Sequence, residues 1–264
     1  MGLNQMINRA RTDNWYRDRY DEYVTHRDVN AELSAMEIIL SRPDRDRRGS
    51  WSASDSGACL RKRQFTYLGM DKRELTPEAM NIFANGDYVH IRHQAFGLAG
   101  RFIDKVEVPV HIDKIKFRGT ADAISSAGEG LEFKSINDRG FSGIKSFGAS
   151  PKHLLQIAAY EMCLNLGTWR IIYENKNTNE MLEIVVNDFT ESLKTVVTEI
   201  TTLNGFTEKN KLVPMLRSCL NQTGFDYTYC PYNRNCKEDM TWPRESQSSG
   251  IKLVIPLTSS SGRS

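Results

Sequence analysis

The stretch FRGTADAISSAGEGLEFKSI, from Phe117 to Ile136, contains two short β-like runs separated by a turn rich in serine and glycine. Asp122 lies near the end of the first run, and Glu132 and Lys134 lie in the second. Because side chains alternate across a strand, Glu132 and Lys134 share one face. Two acids and a lysine that meet at one sheet edge can hold a divalent cation with a water beside it. By itself, the Glu-x-Lys pattern is more typical of a solvated strand face.

The length of 264 residues indicates one large domain, or one domain with elaborations. Hydrophobic residues make up 39% of the chain and charged residues 26%, which fits a globular protein. The formal net charge is only +2, so nucleic-acid binding would depend on local basic patches. No apolar run approaches the roughly 18 residues of a membrane span, and the first residues contain no secretory apolar segment. We therefore expect a cytoplasmic protein without membrane association.

The hydrophobic pattern predicts an α/β fold: helices, then three strands, a helix, a strand pair and a further helix. Residues 1–50 are predicted to form a helical N-terminal extension, 51–245 the main domain, and 246–264 a flexible Ser-rich tail. Residues 137–150, which are rich in glycine and serine, are predicted to form a loop.

Two helices bracket the strands and add polar groups. The first, Thr76–Gly97, carries His90. The second, Pro151–Gly167, is amphipathic and places Gln156 and Tyr160 four residues apart on one face. A single helical histidine is usually a core or surface residue, so the order of these groups along the chain is more informative than any one of them.

The ordered motifs GDYVH, GTADAI, LEFKS and QIAAY resemble those of RecB-type nucleases of the PD-(D/E)XK superfamily, over residues 52 to 236. The resemblance implies a restriction-endonuclease-like core, with a central mixed sheet flanked by helices. It implies that Mg²⁺ or Mn²⁺ is bound by His90, Asp122, Glu132 and the backbone carbonyl of Phe133. The implied catalytic residues are Asp122, Glu132, Lys134, Gln156 and Tyr160. Lys134 would orient or help deprotonate the attacking water, and Gln156 and Tyr160 would hold Lys134 or the scissile phosphate.

The five cysteines are unevenly placed: Cys59 stands alone, Cys163 lies in an apolar helix, and three crowd together near the C-terminal end. One early and three late cysteines resemble the iron–sulfur members of this superfamily, which include CRISPR adaptation exonucleases, the AddB nuclease domain and phage exonucleases. That resemblance implies a [4Fe–4S] cluster held by Cys59, Cys219, Cys230 and Cys236. Ten residues separate Cys219 from Cys230, where the family usually has two. Either the cluster loop contains an insertion, or Cys219 is not a ligand. Structural zinc and the absence of any metal are the alternatives, and Cys163 is predicted to be core.

Local cations and aromatic residues fit a DNA substrate. The candidate phosphate contacts are Arg61, Lys62, Arg63, Lys145 and Lys152. The first three follow Cys59 in Trp51–Gly69, which is predicted to be a single N-capped helix. The candidate stacking residues are Phe141, Phe147, Tyr227, Tyr229 and Tyr232.

The resemblance implies a DNA exonuclease that acts on single-stranded DNA or free ends, often 5′ to 3′, in recombination, repair or phage DNA processing. No GxxxxGK[ST] loop is present, so attack on a duplex would need a frayed end or a partner such as a helicase or recombinase. Two alternatives stay open: a restriction-type endonuclease, and a DNA-end-binding factor with a degenerate nuclease fold. No pattern indicates an oligomeric state.

Overall fold

A computed structural model describes residues 11–41, 48–234, 236 and 237. The predicted tail at 246–264 and the first ten residues lie outside these ranges. The strands are β1 (Arg11–Thr12), β2 (Trp51–Ser52), β3 (Ile103–Ile112), β4 (Phe117–Ser125), β5 (Gly130–Ile136), β6 (Trp169–Asn175) and β7 (Met181–Val186). The helices are α1 (Trp15–Thr25), α2 (Val29–Leu40), α3 (Leu60–Tyr67), α4 (Pro77–Ala99), α5 (Asp138–Phe147), α6 (Pro151–Leu164), α7 (Thr190–Glu208), α8 (Arg217–Leu220) and α9 (Gly224–Thr228).

The strands form one seven-stranded mixed sheet in the order β1-β7-β6-β5-β4-β2, with β3 antiparallel to β4. β5 and β6 are parallel, whereas β6 and β7 are antiparallel. Every residue of β6 is buried, as expected for a central strand with helices on both faces. One core cluster packs α6 and α7 against the sheet, and a second packs α1 and α4 against it. The predicted fold class, a central mixed sheet flanked by helices, is confirmed.

β4 and β5 form a fork where they separate. They pair only through Ala123 with Leu131 and Ile124 with Gly130. Beyond these pairs β5 continues alongside β6 and leaves β4. The strand fork, which we define by Asp122 of β4 and residues 132–134 of β5, therefore places polar groups in the middle of a sheet, where β4 and β5 no longer pair.

Two predicted elements are wrong in detail. Trp51–Gly69 is not one helix: its first two residues form β2, parallel to β4, and α3 begins only at Leu60. Gly57 lies between them with a φ of +75°, a left-handed conformation that glycine adopts without strain. The predicted loop at 137–150 contains α5, because the Asn137 side chain caps that helix by accepting a hydrogen bond from the Gly140 N–H at 2.9 Å.

The N-terminal segment is built into the same core. Tyr16 of α1 is fully buried, and its hydroxyl contacts His93 Nδ1 at 3.0 Å. Its backbone N–H donates to Glu183 at 2.9 Å, and Arg170 forms ion pairs with both Glu183 and Asp13. α1 is thus held against the sheet by packing and by buried charge. Within the described residues, no helix is both long enough and apolar enough to cross a bilayer.

Candidate active site

Glu132 is the most buried acid of the strand fork. Its side chain is 0% exposed, and its Oε1 accepts from Lys134 Nζ at 2.5 Å and from Gln156 Nε2 at 2.6 Å. Its second oxygen, Oε2, is also buried and meets no hydrogen-bond donor in the described part of the chain. A buried carboxylate oxygen is costly to leave unsatisfied, so this atom is suited to bind a cation.

Gln156 connects the groups of the site. α6 begins with Pro151 at its first turn, and its amphipathic pattern turns Gln156 toward the sheet. Gln156 Oε1 accepts from Lys134 Nζ at 3.1 Å, while its Nε2 also donates to the Tyr160 hydroxyl at 3.0 Å. Tyr160 is itself stacked on Trp169, with ring centroids 5.5 Å apart. The two helical residues predicted from their four-residue spacing therefore meet the strand pair.

Asp122 and His90 complete the group on the α4 side of the fork. Asp122 Oδ2 accepts from the Phe133 N–H at 2.8 Å, a bond available only because β5 has left β4 at this point. His90 of α4 places Nδ1 3.3 Å from the same oxygen. The Phe133 N–H is thus within the site, whereas the role of its carbonyl as a metal ligand stays a prediction.

Opposed pKa shifts distinguish these groups. Burial, reinforced by the charge of Asp122, raises the pKa of Glu132 to about 7. Burial also opposes ionisation of Asp122, but the neighbouring His90 holds the Asp122 pKa below its ordinary value. Burial would lower the pKa of Lys134, yet the charges of Glu132 and Asp122 hold it above the ordinary value, which favours the ammonium form. Such opposed shifts among adjacent groups are typical of functional sites.

A buried aromatic pair supports the fork from behind. The His93 ring stacks on the Phe133 ring with centroids 4.8 Å apart and planes 5° apart. His93 Nε2 contacts Glu174 Oε2 at 2.9 Å, and Arg92 forms an ion pair with the same carboxylate. Because Phe133 lies between Glu132 and Lys134, this network fixes the strand from which both side chains project.

Sequence reasoning missed this supporting network. The one available signal was the three-residue spacing of His90 and His93, which places them close together on a helix. The partner Glu174 is 81 residues away from His93 in the chain, and no local pattern links the two.

The donor set suits a hard divalent cation. Carboxylate oxygens and a backbone carbonyl match the preferences of Mg²⁺ and Mn²⁺, whereas the imidazole nitrogen of His90 is a softer donor, and Glu132 Oε2 lacks another partner among the described residues. In the ranges described, no three His, Cys, Asp or Glu side chains are spaced to hold one ion as they stand. The predicted ligands His90, Asp122, Glu132 and the carbonyl of Phe133 stay a prediction.

The four cysteines assigned to the cluster line one cavity of about 180 Å³: Cys59, Cys219, Cys230 and Cys236. Cys59 is the N-cap residue of α3, and the other three come from the segment after α7. The ten residues between the second and third cysteines include the end of α8 and all of α9. Burial raises the pKa of Cys236 to about 11 and that of Cys230 above its ordinary value.

Cys163 lies apart from this cavity. It is half-buried on α6 against the main core, and its thiol donates weakly to the Ala159 carbonyl at 3.7 Å. Burial alone raises the pKa of the Cys163 thiol to about 11, as expected for a packing residue.

Two of the predicted DNA contacts are wrong. Arg61 and Arg63 are 4% and 2% exposed. Arg61 donates to the carbonyls of Val213 and Lys237, and Arg63 pairs with Glu199 at 2.6 Å. Both guanidinium groups are therefore structural, because a phosphate cannot reach them without opening the core.

The other three predicted cations reach the surface. Lys145 is exposed but pairs with Glu180 at 2.5 Å. Lys62 and Lys152 line the mouth of the cysteine cavity. Among the predicted stacking residues, Phe141 and Tyr232 are buried in the core, whereas Phe147 and Tyr229 are largely exposed.

No protein-family model matches the sequence, and no curated protein matches it significantly. Solved structures resemble the fold. LHK-Exo in complex with dAMP has a TM-score of 0.50 at 15% identity, over 62% of this chain and 90% of that one. A second structure of LHK-Exo, an alkaline exonuclease from Laribacter hongkongensis, scores 0.45 at 13% identity over the same shares of the two chains. SSO0001 scores 0.47 at 17% identity, over 80% and 96%. At these identities, the likeness to LHK-Exo in complex with dAMP shows a shared fold.

Proposed function

We propose that this chain is a metal-dependent deoxyribonuclease that hydrolyses phosphodiester bonds from the ends of single-stranded or frayed DNA. The observation that carries the proposal is the convergence of Asp122, Glu132 and Lys134 at the strand fork, with Glu132 Oε2 left without a partner among the described residues. The LHK-Exo neighbour binds dAMP, a deoxynucleotide, which supports carrying this substrate class to the chain. The preference for 5′ to 3′ degradation rests on the family resemblance.

The role proposed for each group rests on the family resemblance and is supported by the contacts of its side chain. His90, Asp122, Glu132 and the Phe133 carbonyl would hold Mg²⁺ or Mn²⁺, which supplies a Lewis acid that lowers the pKa of water and neutralises charge on the phosphate. The Lys134 ammonium orients the attacking water and donates to phosphate oxygens as negative charge builds on them. Gln156 Oε1 positions Lys134 by accepting a hydrogen bond from its ammonium group. The Tyr160 hydroxyl in turn positions Gln156 by accepting a hydrogen bond from its Nε2.

The direct test is to incubate the full chain with end-labelled linear and circular single-stranded DNA, with Mg²⁺ or Mn²⁺ and with EDTA. We expect metal-dependent release of nucleotides from linear DNA and no cleavage of circles. Lys134→Ala should abolish release, whereas Lys194→Ala, which removes an exposed ammonium paired with Glu191 on α7, should not. Cleaved circles would indicate an endonuclease instead. DNA binding without hydrolysis under all metal conditions would indicate a degenerate nuclease.

We also propose that the cysteine cavity holds a [4Fe–4S] cluster. The proposal is supported by the family resemblance and by the four thiols that line one cavity, including Cys219, whose position in the sequence is unusual. Thiolates are the ligands that both iron–sulfur clusters and zinc prefer. The raised pKa values of Cys230 and Cys236 mean that loading releases protons, so it is favoured at higher pH.

Anaerobic purification distinguishes the metals. A cluster predicts a brown protein that absorbs near roughly 400 nm, with iron and acid-labile sulfide in equal amounts. Cys219→Ser should lose the colour and Cys163→Ser should keep it. A colourless, iron-free protein with one zinc per chain would instead support a four-cysteine zinc site.

The proposed activity needs free single strands. Since the chain has no nucleotide-binding P-loop, we propose that a helicase or recombinase partner exposes them when the substrate is duplex.

A further inference from the structure

The first turn of α6 links the strand fork to the cysteine cavity. Lys152 precedes Gln156 by four residues, so both side chains project from the same face of α6. Gln156 in turn contacts Lys134 at 3.1 Å. Lys152 therefore lies about one helical turn, or about 5.4 Å of rise, from Gln156, in the direction of the cavity.

A second lysine, Lys62, lies beside Lys152 at the cysteine cavity. Lys62 and Lys152 line the mouth of the same cavity. The loop before α3 packs directly on α6, because a Cβ placed on Gly57 would lie 3.7 Å from Lys152 Cα and 2.9 Å from Leu155 Cδ1. The cavity mouth and the first turn of α6 are therefore one continuous surface.

The charges of this surface are not neutralised within the fold. Neither Lys62 nor Lys152 forms an ion pair with any residue that the structure describes, in contrast to Lys145 with Glu180. Burial lowers the pKa of Lys152, and the positive charges of Lys62 and Lys134 lower it further, against a smaller opposing effect of Asp55. Lys134 has Glu132 as its ion-pair partner, so the charges left without a partner are those of Lys62 and Lys152, and an anionic chain that passes along them would stabilise both.

We propose that Lys134, Lys152 and Lys62 mark the path of one DNA strand, whose phosphates run from the strand fork along the first turn of α6 to the mouth of the cysteine cavity. The inference rests on the proposed function and specifies where its substrate lies. Phosphate contacts of this kind position a strand without reading its sequence.

An exposed ring at the far end favours a single strand over a duplex. Tyr229 lines the same cavity and is 67% exposed. Aromatic faces stack on unpaired bases with little sequence preference, whereas the bases of a duplex are already stacked on one another. The strand would therefore leave the catalytic groups with its phosphates on the lysines and its bases toward Tyr229.

The test is the salt dependence of binding. The full chain, Lys62→Ala, Lys152→Ala, the double variant and Lys194→Ala, an exposed lysine of α7 that pairs with Glu191, are titrated with a fluorescent single-stranded oligonucleotide in EDTA, by anisotropy, between 50 and 200 mM salt. Each contact to a single strand contributes about 0.7 to the slope of log K against log salt. We expect each single variant to lose about 0.7, the double variant about 1.4, and Lys194→Ala nothing. Circular dichroism confirms that the variants are folded.

The outcomes separate this inference from the proposed function. A double variant with the affinity and slope of the wild type would overturn the path, as would a wild-type chain that binds no single-stranded DNA. Equal affinity for a blunt duplex, with the same loss in the variants, would overturn the assignment to a single strand. If the lysines behave as expected but the wild type with Mg²⁺ or Mn²⁺ releases no nucleotides, the path stands and the proposed nuclease activity fails.

Discussion

Among single residues, Gln156 makes the largest number of contacts that the proposed chemistry needs. It bonds to Glu132, Lys134 and Tyr160, all through one amide. Gln156→Ala should reduce turnover of linear DNA about a hundredfold, since displacement of a catalytic group by about 1 Å costs that much. Tyr160→Phe removes only the outer hydrogen bond and should cost about tenfold or less. Steady-state kinetics on single-stranded DNA measures both, and an unchanged turnover for Gln156→Ala would contradict the role assigned to it.

His153 gives the folded protein a specific sensitivity to acid. Burial, with the charges of Lys134 and Lys152, lowers the pKa of His153 to about 3, and its Nδ1 contacts the Tyr173 hydroxyl at 2.9 Å. Between its ordinary pKa of 6.5 and the folded value, the unfolded chain binds a proton that the folded chain does not. The free energy of unfolding therefore falls as the pH falls, by up to about 1.4 kcal/mol per pH unit.

His153→Gln should remove this sensitivity. From pH 7 to pH 5 the wild type should lose about 2 kcal/mol more stability than the variant, because about 1.5 pH units lie below the unfolded pKa. Urea titrations at the two pH values measure the difference. His26→Gln, which alters an exposed histidine, serves as the control. Parallel losses in the wild type and His153→Gln would show that another group is responsible.

At the level of elements, one arginine holds the N-terminal strand and helix to the sheet. Arg170 of β6 pairs with Glu129, with Glu183 of β7 and with Asp13, which lies between β1 and α1. The Arg170 side chain is 7% exposed and that of Glu183 only 1%. Removal of the guanidinium would leave the buried carboxylate of Glu183 without a counter-charge, and the loss of one partner of a buried pair typically costs about 3–5 kcal/mol.

Arg170→Ala and Arg17→Ala form a matched pair. Arg17 forms an exposed i,i+4 pair with Asp21 at 3.5 Å, and such pairs contribute about 0–1 kcal/mol. We expect a large loss of unfolding free energy for Arg170→Ala and almost none for Arg17→Ala, measured by chemical denaturation. Similar losses in the two variants would mean that α1 is held by packing alone.

The elements also indicate what a single sequence can reveal. Alternation in β5 predicts that Glu132 and Lys134 share a face, and four-residue spacing in α6 predicts the same of Gln156 and Tyr160. Both pairs are in contact, because these periods are local, but only the family resemblance joined the two pairs into one site. The capped α5 and the break at Gly57 were missed, because glycine and serine support helix caps, turns and loops alike. The burial of Arg63 was also missed, because it depends on a partner that is distant in the sequence. Glu199, which pairs with Arg63, lies 136 residues later, and no local pattern links the two.

At the scale of the whole molecule, the cysteine cavity joins the beginning and the end of the main domain. Cys59 precedes β3, the first long strand of the sheet. The other three cysteines, Cys219, Cys230 and Cys236, follow α7. A group bound by all four would close a loop that contains every candidate catalytic residue. Since such a site does not exist in the unfolded chain, its binding free energy becomes folding free energy.

Loss of any one of these thiols should therefore lower the free energy of unfolding strongly, and should lower the nuclease activity of the folded protein only slightly. When the free ligand is present at a thousand times its dissociation constant, binding adds about 4 kcal/mol to the free energy of unfolding. At 2–4 °C per kcal/mol this corresponds to a drop in Tm of about 10 °C. Scanning calorimetry of anaerobically purified wild type, Cys230→Ser and Cys163→Ser measures it, and only Cys230→Ser should shift. Nuclease activity of Cys230→Ser, assayed well below its own Tm, should be largely retained, because in the described part of the chain the hydrogen bonds of Glu132, Lys134 and Gln156 go to one another and to Tyr160 rather than to Cys230. Activity lost at that temperature from a fully folded variant would instead place the cysteine cavity within the catalytic machinery.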